Sequence, residues 1–168
     1  MSRLGNSAFE RLFQVHAEPL FAFLVYRTGD RQLAEDLLAD TFERALRGRV
    51  RFDPRRGTEK NWLYAIAINL VRDQARRRSV EVGALERVGA HETRTLDDDA
   101  LGAVEDRDLL AKALARLNDD EREAIALRFG SDLTLREVAR VLGDKESAVE
   151  KRISRALEKL RRELQTQA

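Results

Sequence analysis

The sequence contains no cysteine, which excludes disulfides, thiol nucleophiles and thiolate metal sites. Histidine is almost as scarce. His16 and His91 stand far apart, so a zinc cluster lacks its nitrogen ligands. There are only two prolines, Pro19 and Pro54, and aromatic residues make up 6% of the chain. Few β-branched or aromatic runs occur, which argues against a sandwich or barrel. No apolar run approaches the roughly 18 to 20 residues that a membrane span needs, and no basic segment followed by an apolar run opens the chain. The protein is therefore expected to be cytoplasmic, with no membrane span of its own. Gly-rich phosphate loops and nucleophile motifs are missing too. The reading is of a protein that is not an enzyme and needs no cofactor.

A dominant charge is also lacking: the net charge is +1. That mean hides a pattern. Residues 1–43 carry 4 basic and 7 acidic side chains, a net of −3, and residues 44–78 carry 11 and 3, a net of +8. Residues 79–126 carry 6 and 13, a net of −7, and residues 127–168 carry 10 and 7, a net of +3. Two basic blocks alternating with two acidic ones imply two polyanion-facing surfaces and at least one surface for something else.

What is present is helical periodicity. Apolar content of 43% with 36% charged residues suits a charge-rich helical protein. Residues 7–28 place Phe9, Leu12, Phe13, Leu20, Phe21 and Leu24 at helical spacing, and Pro19 predicts the start of a second helix there. Gly29 reads as a helix end and Asp30 as the next N-cap. The following helix repeats Leu33, Leu37, Leu38, Phe42, Ala45 and Leu46 and stops near Gly48. A loop over 52–57 follows from its Pro and Gly, and Thr58 caps a helix expected over about 59–78. Between 79 and 104 the periodicity fades, Gly83, Gly89 and Gly102 recur, and Asp97, Asp98 and Asp99 form an acidic run. This is a flexible linker, and its length favours two domains over one. Beyond it four short helical patterns follow: 105–117; 119–129 with Ile125, Leu127 and Phe129 and a stop at Gly130; Thr134–Gly143, opened by the capping-box pattern Thr134-x-x-Glu137; and a last helix to about 165 with Val149, Ile153, Ala156, Leu157, Leu160 and Leu164. The fold class is all-α: two small helical domains, 1–78 and 105–168, joined by the linker 79–104.

Three constellations bear on function. The short capped helix, the tight connection over 144–147 and the longer helix with Lys151, Arg152 and Arg155 have the layout of a helix-turn-helix, whose second helix lies in the DNA major groove. By spacing alone, two helices of an ordinary bundle fit as well. On the 59–78 helix, Leu63, Ile66, Ala67 and Leu70 form an apolar stripe. Trp62 stands in the first turn beside the basic residues Arg55, Arg56 and Lys60. An aromatic at a basic rim suits stacking on unpaired bases, with Arg76, Arg77 and Arg78 supplying phosphate contacts; a core tryptophan is the competing reading. The third constellation is the acidic helix face of Glu35, Asp36, Asp40 and Glu43. It is a solvated face or a dock for a basic protein, and catalysis trails because no pocket accompanies it.

The segments 20–46 (with A-E-D-L-x-x-D-T-F), 51–78 (F-D-P-x-x-G followed by W-L-x-x-I-A-x-N) and 113–164 (the helix-turn-helix) together resemble the bacterial sigma factors of the extracytoplasmic-function type in order and spacing. The resemblance implies a promoter-specificity subunit. Its first domain binds the clamp coiled coil of the RNA polymerase largest subunit and opens and reads the minus-ten element; its second binds the polymerase flap and reads the minus-thirty-five element. Carried over by position, Glu35, Asp36, Leu37, Asp40 and Phe42 fall in the polymerase-docking helix. Lys60, Asn61, Trp62, Asn69, Arg72 and Arg76 fall in the minus-ten segment, where Asn61, Asn69, Arg72 and Arg76 are expected to face DNA. Ser147, Lys151, Arg152 and Arg155 fall in the recognition helix. The implied partners are core RNA polymerase, promoter DNA and an anti-sigma protein that covers the polymerase-binding faces. Two positions depart from the family pattern. Lys145 stands where a small hydroxylated residue is common, and Glu150 where a basic one is frequent. A free-standing helix-turn-helix repressor and a helical adaptor without a DNA role are the rivals, and each leaves a basic block unexplained.

Overall fold

The computed structural model describes residues 5–84 and 104–166. The first helix, α1, runs unbroken over Asn6–Thr28. Pro19 therefore lies inside a helix and does not start one. Proline removes one backbone hydrogen bond, here to the Val15 carbonyl. Pro19 and Val15 are both exposed, so that carbonyl is open to water. Burial of Leu12, Leu20, Phe23 and Leu24 along the same helix outweighs the loss.

Helix α2 spans Arg31–Gly48. Asp30 caps it, its carboxylate accepting from the Leu33 N–H at 3.1 Å, and a 3-10 turn, Arg49–Arg51, follows. The buried face is Ala34, Leu37, Thr41, Phe42 and Ala45. This line lies slightly round from the expected one, and Leu46 is left exposed. Thr41 reaches the core because its hydroxyl donates to the Leu37 carbonyl at 2.6 Å, which satisfies it without water.

Helix α3 spans Glu59–Ala84. Its first turn is capped by Thr58, whose hydroxyl accepts from the Asn61 N–H at 3.1 Å. It runs six residues past the expected end at 78, because residues 79–82 contain neither proline nor glycine to stop it. The rest of the expected linker, residues 85–103, lies outside the described residues. Leu63, Ala67 and Leu70 are buried as their spacing predicts, whereas Ile66 is only partly covered. Tyr64, Ile68 and Val71 are buried as well. The reason is tertiary: α3 packs against both α1 and α2, so two of its faces are covered. Tyr64 meets Phe23 of α1 edge-on, ring centres 5.4 Å apart.

The chain divides into two units, Met1–Glu92 and Thr93–Ala168. The second contains α4 (Val104–Ala115), α5 (Asp119–Ile125), α6 (Leu135–Leu142) and α7 (Glu146–Thr166). Among the described residues no strand occurs. Both α5 and α6 open with a full capping box, Asn118 with Glu121 and Thr134 with Glu137; the first was not expected, although Asn118-x-x-Glu121 is the same kind of signal. After α5 the backbone widens into a π turn, Ala126–Gly130. The extra residue in that turn shifts the helical phase. Phe129, expected on the apolar face, is consequently exposed, while Leu127 and Leu133 fill the core. Leu157, placed on the apolar stripe of the last helix by spacing, is likewise exposed.

Lys145 occupies the N-cap position of α7, its carbonyl accepting from the Val149 N–H at 3.1 Å. A lysine side chain has no acceptor with which to cap the first turn. Lys145→Ser is therefore expected to stabilise the protein by about 1 kcal/mol, read as a raised denaturation midpoint by circular dichroism. An unchanged or lowered midpoint would show that the lysine has another structural role.

Candidate nucleic-acid interface

Basic loop, outward face of α3 and Trp62 form one continuous surface on the first unit. The loop between α2 and α3 is built on Asp53, whose carboxylate accepts from the Arg55 N–H at 3.0 Å and whose carbonyl accepts from the Arg56 N–H at 3.0 Å. This turn presents Arg55 and Arg56 to solvent. Gly57 closes it with φ +155°, a conformation that L side chains rarely adopt. Trp62 is only partly exposed. It lies over Gly48, where an added Cβ would come within 3.3 Å of the indole Cζ2, and its ring centre is 5.2 Å from that of Phe52. Trp62 thus pins both ends of the loop to the end of α2, and Gly48 is the residue that lets it approach.

Helical geometry places Trp62, Asn69, Arg72 and Arg76 on one face of α3, at steps of seven, three and four residues. Asn69 and Arg76 are exposed; Lys60 and Arg72 are partly buried. Arg76 pairs with Asp73. Asn61, expected to face DNA, is only 5% exposed. It sits a step round the helix, with its Cβ under Gly57, and its Oδ1 has no hydrogen-bond partner among the described residues. On α1, burial and the Lys60 ammonium hold the His16 pKa below the ordinary histidine value against an opposing pull from Glu59. The first turn of α3 therefore runs beside the middle of α1.

On the second unit, Val149, Ile153 and Ala156 bury one side of α7. The opposite side carries Ser147, Lys151, Ser154 and Arg155, all exposed. Ser154 escaped the sequence reading, although its spacing from Ser147 and Lys151 puts it on their face. Arg152 belongs elsewhere. Its side chain is 22% exposed and turned back to Asp144, 2.9 Å away, so it clasps the turn to the helix. Glu150 is exposed, and the neighbouring Arg152 is committed to Asp144. Behind this surface Lys159 donates to both oxygens of the buried Glu121 at 2.8 Å, tying α7 to α5. Burial raises the pKa of Glu121. The Lys159 hydrogen bond, the Asn118 N–H and the charges of Lys159 and Arg155 outweigh that and leave it below the ordinary glutamate value.

The acidic face of α2 divides in the same way. Glu35, Asp36 and Asp40 are exposed; Leu37 and Phe42, expected with them at the docking surface, are buried in the unit's own core. Their apolar character serves folding, since Phe42 receives Phe9 and Phe13 edge-on, ring centres 6.3 and 4.7 Å away.

The family model described as Sigma-70 region 2 matches residues 12–80, and that described as Sigma-70, region 4 matches residues 113–162. The RNA polymerase sigma factor CarQ of Myxococcus xanthus is 36% identical over 94% of this chain and 89% of its own. The chain belongs to the ECF family of RNA polymerase sigma factors. Such factors confer specificity on transcription initiation and are not enzymes. This sigma factor is also 36% identical to the ECF sigma factor BldN of Streptomyces coelicolor over 92% of its length, and spans 60% of that protein. Among solved structures, the sigma factor RpoE in complex with the anti-sigma factor NepR from Bartonella quintana is similar, with a TM-score of 0.83 and 28% identity over 94% of this chain and 96% of that one. The matched regions include both faces described above. Among the described residues of this sigma factor no helix is long and apolar enough to cross a membrane.

Proposed function

We propose that this sigma factor works in the cytoplasm, docks on core RNA polymerase through Glu35, Asp36 and Asp40 of α2, and reads a promoter with two separate surfaces. The domain that holds the minus-ten region extends to the end of α3 at Ala84, the domain that reads the minus-thirty-five region begins with α4 at Val104, and the residues between them tether the two. Loop 55–60 with Asn69, Arg72 and Arg76 grips the backbone of the opening strand. Trp62 keeps that loop in place, its open edge available for stacking. Ser147, Lys151, Ser154 and Arg155 enter the major groove. Asn61 and Arg152 support these surfaces from behind and touch no base.

Two modest DNA contacts joined to one enzyme add through effective concentration. Strand opening costs a few kcal/mol for each unstacked base, which the basic loop offsets by holding the separated backbone. An anti-sigma protein that covers these faces fits the same layout, as NepR is found in complex with RpoE.

The observation that carries the reading is the exposed cationic face on each unit, each on the segment that matches a sigma region. The test is run-off transcription and gel-shift with core polymerase. The chain should shift promoter duplex strongly only when polymerase is present. Arg155→Ala should lower minus-thirty-five-dependent transcription about tenfold while leaving polymerase binding intact. Strong binding to duplex by the chain alone would mark a free-standing repressor, and an unchanged promoter preference would remove Arg155 from the readout.

A further inference from the structure

An unpaired acid stands on the reading side of α7. Glu150 is exposed and makes no hydrogen bond or ion pair among the described residues. Its helical neighbours, three and four residues away on either side, are Glu146, Ser147, Ile153 and Ser154. None is a cation, and Glu146 repels it. Of the cations nearby in sequence, Arg152 is held by Asp144 at 2.9 Å and Lys159 by Glu121 at 2.8 Å. The helix dipole does not account for Glu150 either. It favours acids in the first turn, where Glu146 stands, and Glu150 lies one residue beyond that turn. Glu158, further along α7, differs because it pairs with Arg162. A lone carboxylate beside DNA phosphates is unfavourable by itself, since it adds repulsion where the neighbouring cations attract.

The position decides what this carboxylate meets. Ser147 and Ser154 share its row and Lys151 follows it directly, all exposed. The two serines are short, so Glu150 projects beyond both. It lies in the N-terminal half of α7, the part of a recognition helix that touches base edges. A carboxylate only accepts hydrogen bonds and needs a donor there. Cytosine presents an amino group in the major groove, whereas guanine presents N7 and O6 and thymine O4, all acceptors. The adenine amino group stands beside its N7 acceptor, which repels a carboxylate. Cytosine is the base whose edge suits Glu150.

We propose that Glu150 is a specificity-determining residue of this sigma factor, its carboxylate accepting from the amino group of one cytosine in the upstream promoter element and rejecting guanine and thymine there. The inference rests on the reading of α7 in the major groove proposed above. It gives the two kinds of charge on this face separate tasks. Lys151 and Arg155 attract any duplex, and Glu150 penalises duplexes that lack the amino group in the right place.

The test is transcription by core polymerase with the full chain on promoters randomised through the upstream element, followed by sequencing of the transcribed templates. The parent should favour cytosine at one position by about tenfold or more. Glu150→Ala should abolish the preference at that position and leave the others unchanged. Glu150→Gln should move it to adenine, which glutamine meets with both a donor and an acceptor. Both variants should melt with the parent, because the side chain has no partner to lose. A uniform gain on all promoters with unchanged preferences would overturn the proposal and leave Glu150 as a mere repulsive charge. Altered polymerase affinity with unchanged base preference would overturn it in favour of a protein contact. Guanine or thymine at the responding position would overturn the amino-group reading, and adenine the choice of cytosine. Arg155→Ala separates the two levels. If it alters promoter preference while the Glu150 variants do not, only this inference falls; if neither does, the major-groove reading of α7 falls with it.

Discussion

Tyr64→Ala is expected to cost about 3–5 kcal/mol, the range for removing a large buried aromatic ring. Tyr64 is fully buried on α3 and meets Phe23 of α1 edge-on, so the substitution removes both apolar burial and a ring pair worth about 0.5–1.5 kcal/mol beyond its area. Trp62 is the chain's single tryptophan and lies on the same helix, so its fluorescence reports the unfolding of this unit directly. The variant's denaturation midpoint should fall sharply by that signal. Transcription should fail at temperatures where the parent is active, because the outward face of α3 exists only while its other two faces are packed. A loss below about 1 kcal/mol would mean that neighbouring side chains close the cavity.

Lys159→Met should destabilise the second unit by about 1–2 kcal/mol at neutral pH. Removing Lys159 leaves the buried Glu121 carboxylate with only the Asn118 N–H, and an undersatisfied buried acceptor is costly. Lys159 is half-exposed, so solvent screening keeps the figure at the low end. The effect depends on pH, and its sign is fixed by the depressed pKa of Glu121. The pair's contribution is complete above the ordinary glutamate value of 4.5 and is lost as pH falls through the lower folded-state value. In the variant, burial without the lysine favours the neutral acid, so protonation relieves the strain. The gap between parent and variant should therefore be widest near neutrality and shrink in acid. Denaturation followed by circular dichroism, with Trp62 fluorescence as the control for the first unit, measures it. An equal gap at neutral and strongly acidic pH would show that Lys159 acts through packing alone.

The helices themselves were largely legible along the chain. Asp30, Thr58 and the Thr134–Glu137 box announce their helix starts, and Gly48, Gly130 and Gly143 their ends, because capping is a local transaction between a side chain and the nearest backbone groups. Pro19 misled for the same reason: its local rule says start, but a helix anchored by buried Leu12 on one side of the proline and Leu20, Phe23 and Leu24 on the other tolerates one missing hydrogen bond on its wet side. The all-α character and the charge blocks were equally local facts. So were the family motifs, each confined to one segment.

Which residues of those motifs face outward was not local. Asn61 and Asn69 look alike in sequence, yet one is buried under Gly57 and the other is exposed, because the loop folds back over the first turn of α3. Arg152 stands beside Lys151 but is drawn to Asp144 across the turn. Leu37 and Phe42 share a helix with Asp36 and Asp40 and point the other way. Tyr64 and Ile68 fall outside a single apolar stripe and are buried because a third helix covers them. The sequence by itself determined the helical class, most helix ends and the sigma-factor resemblance. Only the tertiary structure decided which side chains are scaffold and which are surface, since burial depends on what packs against a helix and its own periodicity cannot say which of its faces will find a partner.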